Sequence, residues 1–371
     1  MSGRMSRLYH GETTVDFFGR RKLGFAVSGF LLVLFVISLF VQGLNLGIDF
    51  RGGVAFEVPA TSTMNVDAAR EVVEASDVEA KDSAKIQTLS SGENERVRVQ
   101  LGDMSAESQD KLRTALSDKA KVGAEDVSVA SVSSTWGRNI TERAILALVV
   151  FFVLVSAFIA WRFEWRMAVG AMSAVVHDVL ISVGVYSLFN LEVTPATVVA
   201  FLTILGYSLY DTIVVFDKVD ENVRRFSGSR VSYGDIVNVS MNQVLMRSLN
   251  TSISALLPVL SLYFLGSVAF GAVALRDFSL ALIVGLATGA YSSIFIAAPV
   301  LGILRERSTG YAGERGRLSK GAEMAVLMST GAPASRRSQA RADNVAAGAD
   351  PVAPVEVLLN HPPRPRKKTR R

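Results

Sequence analysis

Asp211 lies inside Val198–Phe216, a run apolar enough to cross a bilayer. A carboxylate in that position costs about a few kcal/mol on insertion scales and more by simulation, so it needs a partner or a task. Arg247 stands near the start of the next apolar run. If the fourth span ends near Asp217, Asp211 sits about 9 Å inside it at a rise of ~1.5 Å per residue. The loop between the two runs is long enough to return the chain, so the spacing predicts Asp211 and Arg247 at similar depth, as a pair. Low dielectric favours a neutral carboxyl group, and a nearby guanidinium favours the charged form. An arginine that approaches and withdraws would load and release a proton, which is the physics of a proton relay. A static ion pair that fixes helix packing meets the same spacing, and both readings stand at this point.

Other polar residues share these runs. His177 and Asp178 fall near the middle of the third span. They are either a second relay element or a buried hydrogen bond that ties helices three and four together, and the structural role is the better supported of the two. Thr251 follows Arg247 by one helical turn, on the same face. Ser248, Asn250 and Ser252 add hydroxyl and amide groups there. Gly206 and Ser208 are expected to let a neighbouring helix approach Asp211, and Gly285-x-x-x-Gly289 is a helix-packing motif. Pro258 and Pro299 are candidate kinks. The chain has no cysteine, which excludes disulfides and thiolate metal sites. It has no G-x-x-x-x-G-K-[ST], G-x-S-x-G or H-E-x-x-H motif, so nothing points to a classical enzyme, a metal or a cofactor.

The elements that must position these residues are membrane helices. Half of the 371 residues are apolar and 20% are charged, below the quarter usual in soluble domains. Mean hydropathy is +0.33. Six spans are predicted: Leu23–Gly43, Ala144–Trp161, Met167–Phe189, Ala196–Phe216, Leu249–Phe270 and Phe278–Leu304. The first reads as an uncleaved anchor, too long for a signal-peptide core and without a clear cleavage site. Arg20–Lys22, Arg162 with Arg166, Lys218 through Arg230, and Arg305 with Arg307 fall on one side. The positive-inside rule then puts residues 1–22 and the C-terminus in the cytoplasm. The net charge of +5 is accounted for by this topology rather than by nucleic acid.

Residues 44–139 have the character of a soluble domain outside the membrane. Val54, Phe56 and Val58 alternate as in a strand. Val66, Ala69, Val72 and Val73 follow a helical period after Asn65, a potential cap. Ile86 marks a second strand, and Val97, Val99 and Leu101 a third. Ser105 heads a helix that would bury Leu112, Ala115 and Leu116, and Val127 with Val129 form a last strand. The order βαββαβ is the ferredoxin-like arrangement, with one sheet face under helices and one open. Nothing in it looks catalytic. Its functional reading is a binding surface, with sheet-edge addition as the simplest mode.

Several motifs now combine. Leu46-Gly47-Ile48-Asp49-Phe50-Arg51-Gly52-Gly53 follows span one. Arg162-Phe163-Glu164-Trp165-Arg166 joins spans two and three, and His177-Asp178 lies in span three. Gly206-Tyr207-Ser208-Leu209-Tyr210-Asp211-Thr212 precedes Asp217-Lys218-Val219-x-Glu221-Asn222. Asn242-Gln243-x-x-x-Arg247-x-x-x-Thr251-Ser252 comes next. In order and in topological place, these resemble the SecF branch of the SecD/SecF family, bacterial preprotein translocase subunits within the resistance-nodulation-division superfamily. The resemblance covers roughly residues 20–305. It implies a six-span transport subunit that pairs with SecD and assists the SecYEG channel and the SecA motor. It also implies that proton flow pulls the emerging preprotein outward. The family's proton-coupling residues fall on Asp211, Arg247 and Thr251. Tyr210 stands where many members carry asparagine, and Asp220 where a basic residue is common. The rival expectations are a small-molecule exporter of the same superfamily and a passive scaffold for SecD or the channel. Residues 305–371 lie outside the resemblance. Their Ala, Gly, Ser, Pro and Arg content predicts a disordered tail. It ends in a basic cluster, Arg364–Arg371, that would suit anionic lipid or only keep the tail soluble.

Overall fold

The computed structural model describes residues 13–76, 78, 81, 84–91, 94–227, 229–269, 273–314 and 316–330. Among them the α-helices of nine residues or more are α1 (Arg21–Gln42), α2 (Val66–Ala75), α3 (Ala106–Ala120), α4 (Ser134–Arg162), α5 (Trp165–Leu188), α6 (Pro195–Arg225), α7 (Tyr233–Tyr263), α8 (Val273–Ser292), α9 (Ala298–Glu306) and α10 (Ala322–Thr330). The strands are β1 (Asn45–Leu46), β2 (Gly53–Pro59), β3 (Lys85–Ser91), β4 (Asn94–Leu101), β5 (Ser128–Val132) and β6 (Glu192–Val193). Six helical segments are long and apolar enough to cross a membrane: α1, α4, α5, α6, α7, and α8 continued through a π-helical turn, Ser293–Ala297, into α9. Pro299 opens α9 at its first turn, where a missing N–H is tolerated. Pro258 sits within α7.

Three of these helices are longer than the apolar runs predict. α4 starts at Ser134, well before Ala144, α6 continues to Arg225, and α7 starts at Tyr233, well before Leu249. The starts of α6 and α7 are signalled by side chains. Thr194 caps α6 by accepting from the Thr197 amide, and Ser232 caps α7 by accepting from the Asp235 amide. The first third of α7, Tyr233–Asn242, is buried throughout although it is too polar to count as a span. Arg247 therefore lies midway along a helix rather than at its start.

α6 is the hub of the bundle. Gly285 and Gly289 of α8 face it: a Cβ on Gly285 would overlap Ile204, and one on Gly289 would lie 3.0 Å from the Ser208 Cβ. Small residues let the two backbones approach, which is how membrane helices gain packing energy without a hydrophobic drive. Gly206 does not serve this purpose. It faces open space, because it lies one turn before Tyr210 on the exposed side of α6.

Residues 53–132 form a four-stranded antiparallel sheet in the order β3-β4-β2-β5. Val54, Phe56, Val58, Val97, Val99 and Leu101 point from β2 and β4 into one core with Ala69 and Val73 of α2 and Leu112 and Leu116 of α3. Asn65 accepts from the Ala68 amide and Ser105 from the Ser108 amide, so both helices begin at side-chain caps. Strand β5 covers 128–132, one residue later than its valines suggest.

The opposite sheet face is not open. Glu192, in the short connection between α5 and α6, enters it and accepts from Arg98 Nη1 at 2.8 Å, Gln100 Nε2 at 2.8 Å and Gln87 Nε2 at 3.1 Å. Beside it, β1 pairs in parallel with β6, and the Gly47 amide donates to the Val193 carbonyl. Lys85 donates to Asn45 Oδ1 at 3.0 Å. Its burial and the Arg51 guanidinium hold its pKa below the usual lysine range, against the pull of Glu192. The chain enters the domain through Gly52 and Gly53, at φ 77° and 121°. A Cβ on Gly52 would overlap the Ser134 backbone, and one on Gly53 the Leu101 carbonyl. Entry and exit of the domain are thus held together at the head of α4.

At the other end of the bundle the terminal segments close over α7. Asn238 Oδ1 accepts from the Phe18 amide at 2.7 Å, and Asn242 accepts from and donates to Val15. Asp235 accepts from the Ser319 amide and hydroxyl. α10 buries Met324 and Leu327 in the main core. The expectation of disorder from residue 305 thus fails for 305–330, where these few apolar contacts order an otherwise polar segment. Residues 1–12 and 331–371, including the basic cluster, lie outside the described residues.

Two outcomes follow from this packing. Gly285→Ala overpacks the α6–α8 contact, which costs about 1–3 kcal/mol, and thermal melting in detergent should fall accordingly. Adding Ile204→Ala should restore part of the loss; no rescue would show that the helices are not held by this fit. Glu192→Ala leaves Arg98 with Glu57 alone, at 3.6 Å, and removes the acceptor of Gln87 and Gln100, a loss of buried hydrogen bonds that costs about 1–3 kcal/mol. Hydrogen exchange should accelerate at β1 and β6 while the β2–β4 core stays protected. Unchanged exchange at β1 and β6 would contradict the role of Glu192 as a clamp.

Candidate functional site

The α6–α8 contact sets the surroundings of Asp211. Its Oδ2 accepts from Ser248 Oγ of α7 at 2.8 Å and from Ser293 Oγ at the start of the π-helical turn. Both serines are buried, and the carboxylate is half-buried. Hydrogen bonds to a charged acceptor are about twice as strong as neutral ones. Two hydroxyls therefore hold the carboxyl group, with no ion-pair partner among the described residues.

The expected pair with Arg247 is not formed. Among the described residues neither Asp211 nor Arg247 takes part in an ion pair. The reason is helical phase: successive side chains lie about 100° apart, and α7 turns Ser248 toward Asp211. Arg247, one residue earlier, is exposed. Thr251 donates to the carbonyls of Arg247 at 2.6 Å and Ser248 at 3.0 Å, so its hydroxyl is used within its own helix. It still lines a recess of about 90 Å³ beside Asp211, together with Ser208, Tyr210 and Ser252. One water needs about 10–15 Å³ and two or more polar partners, and this recess offers both.

His177 and Asp178 of α5 form a second polar centre. His177 Nδ1 lies 3.1 Å from Asp178 Oδ1, and both residues are buried. Asp178 Oδ2 accepts from Ser208 Oγ of α6 at 2.5 Å and from Ser292 Oγ of α8 at 2.7 Å. The hydrogen bond between helices three and four expected from sequence is present, and it also takes in the sixth span. His177 Nε2 is buried with no hydrogen-bond partner among the described residues. On its other side Asp178 borders a cavity of about 260 Å³ walled by Val179, Val183, Phe201 and Leu205. Its lining is almost wholly apolar, whereas Asp211, Ser208 and Ser252 put polar groups on the other recess.

The sequence reading picked out both carboxylates but missed Ser292 and Ser293. Their only signal is that two consecutive hydroxyls interrupt an apolar span, and serines in membrane helices usually bond to their own backbone. Basic residues do gather at one end of the bundle, where Arg162 pairs with Asp217 at 3.3 Å and Arg305 with Glu164 at 3.0 Å. The sheet domain sits at the opposite end.

Comparison with known proteins bears on this arrangement. A family model described as protein export membrane protein SecD/SecF, C-terminal, matches residues 111–307, and one for the SecD/SecF GG motif matches residues 37–64. The second match contains Gly52 and Gly53. The protein translocase subunit SecF of Streptomyces coelicolor is 42% identical over 81% of this chain and 79% of its own length. That of Mycobacterium leprae is 41% identical over 82% and 67%. The crystal structure of SecDF, a translocon-associated membrane protein from Thermus thermophilus, superposes with a TM-score of 0.71 at 33% identity. The match covers 80% of this chain and 39% of that one, so the chain spans about two fifths of the solved protein. By sequence, by glycine motif and by fold, the chain belongs to the SecD/SecF family of protein-export membrane proteins, as a SecF-type protein translocase subunit.

Proposed function

We propose that this protein is a proton-coupled auxiliary subunit of preprotein export, acting with SecD beside the SecYEG channel and SecA. In this reading the proton gradient, rather than ATP on this chain, supplies the energy for late translocation. The observation that carries it is Asp211: an intramembrane carboxylate with no cationic partner among the described residues, held by two hydroxyls, at the wall of a recess of about 90 Å³ that Ser208, Thr251 and Ser252 also line. Burial favours the neutral form of a carboxyl group, and hydroxyl donors favour the charged one. Arg247 supplies the moving charge. It is exposed next to Ser248, on the helix that already touches Asp211, so a modest rotation of α7 brings it toward the carboxylate. Thr251 lines the same recess and belongs to the same proposed site. His177 and Asp178 tie three helices together around it.

The sheet domain is read as ferredoxin-like and extracytoplasmic. The strand order β3-β4-β2-β5 with two helices on one face supports the first point, and the basic end of the bundle opposite supports the second. Both termini are then cytoplasmic. Glu192, three residues before α6 begins, is where movement of the domain would reach the helix that carries Asp211.

Asp211→Asn keeps size and hydrogen bonding but removes the titration. In cells lacking the native copy, export of a secreted reporter should be lost while membrane level and SecD co-purification stay normal. Normal export would reduce Asp211 to a packing residue and favour the scaffold reading. Arg247→Ala tests the mobile partner. Its side chain makes no ion pair in this state, so stability should change by no more than about 0.5 kcal/mol, yet export should fall. A large drop in melting temperature would instead assign Arg247 a structural role.

A further inference from the structure

Ser292 and Ser293 join the two buried carboxylates. They are consecutive, both fully buried, and sit where α8 gives way to the π-helical turn Ser293–Ala297. About 100° of helical rotation separates their side chains, and the two hydroxyls point to different helices. Ser292 donates to Asp178 of α5 at 2.7 Å, and Ser293 donates to Asp211 of α6. Each hydroxyl also has a second acceptor within its own helix, three residues back. These are the carbonyls of Gly289 for Ser292 and Ala290 for Ser293, both at 3.2 Å. We propose that this serine pair is a switch that transmits the charge state of Asp178 to Asp211; the proposal rests on the proton-coupling reading of Asp211.

The chemistry is a change of acceptor. An ionised carboxylate draws the hydroxyl strongly. A protonated Asp178 competes less well, and Ser292 turns to the Gly289 carbonyl. Serine bonding to its own helix bends that helix, and the bend falls at a π turn, a feature common at functional sites. Ser293, the next residue, is drawn away from Asp211, which loses a donor to its charged form and takes up a proton more readily. The serines keep their own protons throughout and change only their acceptors. The other titratable or charged groups around the switch are His177 beside Asp178, Tyr291 with its ring 6.0 Å from that of His177, and Arg247 adjacent to Ser248. Ser208 of α6 faces Asp178 as well and is uncharged.

The sign of the coupling separates this switch from plain electrostatics. Asp178→Asn mimics the protonated state. The switch predicts that Asp211 then protonates at higher pH, by about one to two pH units, the worth of one hydrogen bond to a charged group. Removing a nearby negative charge acts only through space in the opposite sense, moving Asp211 protonation to lower pH. Infrared spectroscopy of the carboxyl band of Asp211, assigned with Asp211→Asn, measures this on the full chain in lipid vesicles. With Ser292→Ala the upward shift should vanish; with Ser292→Thr, which keeps the hydroxyl, it should remain. A downward shift, no shift, or an upward shift that survives Ser292→Ala would each overturn the switch while leaving a titrating Asp211 intact. A carboxyl band of Asp211 that does not titrate at all removes the proton-coupling reading, and the switch with it.

Discussion

The membrane part of this protein is organised around two carboxylates that no lysine or arginine among the described residues pairs with. Taking an ion out of water costs several kcal/mol even after the protein relaxes. Asp178 and Asp211 meet that cost with hydroxyl donors: Ser208 and Ser292 for one, Ser248 and Ser293 for the other. Those donors come from three helices, so each carboxylate fixes the approach of its neighbours. Hydroxyls turn more easily than charged pairs separate, and an assembly held this way can change its charge without being dismantled.

The rest of the fold keeps these donors in register. Gly285 and Gly289 bring α8 against α6, which sets Ser292 and Ser293 at the depth of the two aspartates. The terminal segments hold the buried start of α7 through Asn238 and Asn242. The far half of α7 exposes Ile253 and Leu257 on one side and packs Val259 beside Ala281 and Leu282 of α8 on the other. Ser248 and Arg247 lie between the buried start of α7 and this half. At the opposite pole, Glu192 and the paired β1 and β6 bind the sheet domain to the loop that leads into α6. The domain and the carboxylate helix are therefore in mechanical contact through a few polar groups.

Much of this is legible in the sequence, for physical reasons that differ by residue. The spans follow from hydropathy, and Asn65, Ser105 and Gly285-x-x-x-Gly289 each report a local geometry. Asp211, His177 and Asp178 stand out because ionisable groups are rare in apolar runs. The pairing of Asp211 with Arg247 does not follow, because a one-residue difference in helical phase decides which side chain faces inward, and only packing fixes that phase. Ser292 and Ser293 are hidden because buried serine usually serves its own backbone. Glu192 reads as a lone surface charge in a short loop. Its three partners lie on two strands roughly a hundred residues earlier, a contact that no local pattern encodes. The order imposed on 305–330 rests on contacts such as Met324 and Leu327 with the main core, which composition averages away.

The central claim is that Asp211 carries protons for export. Its most direct test is proton movement itself, read with a pH-sensitive dye inside vesicles that contain the full chain with SecD under an imposed gradient. Proton flux is expected with the wild type and should vanish with Asp211→Asn, without loss of the assembled complex. A flux of the same size in wild type and Asp211→Asn would contradict it and leave the two carboxylates as structural pins.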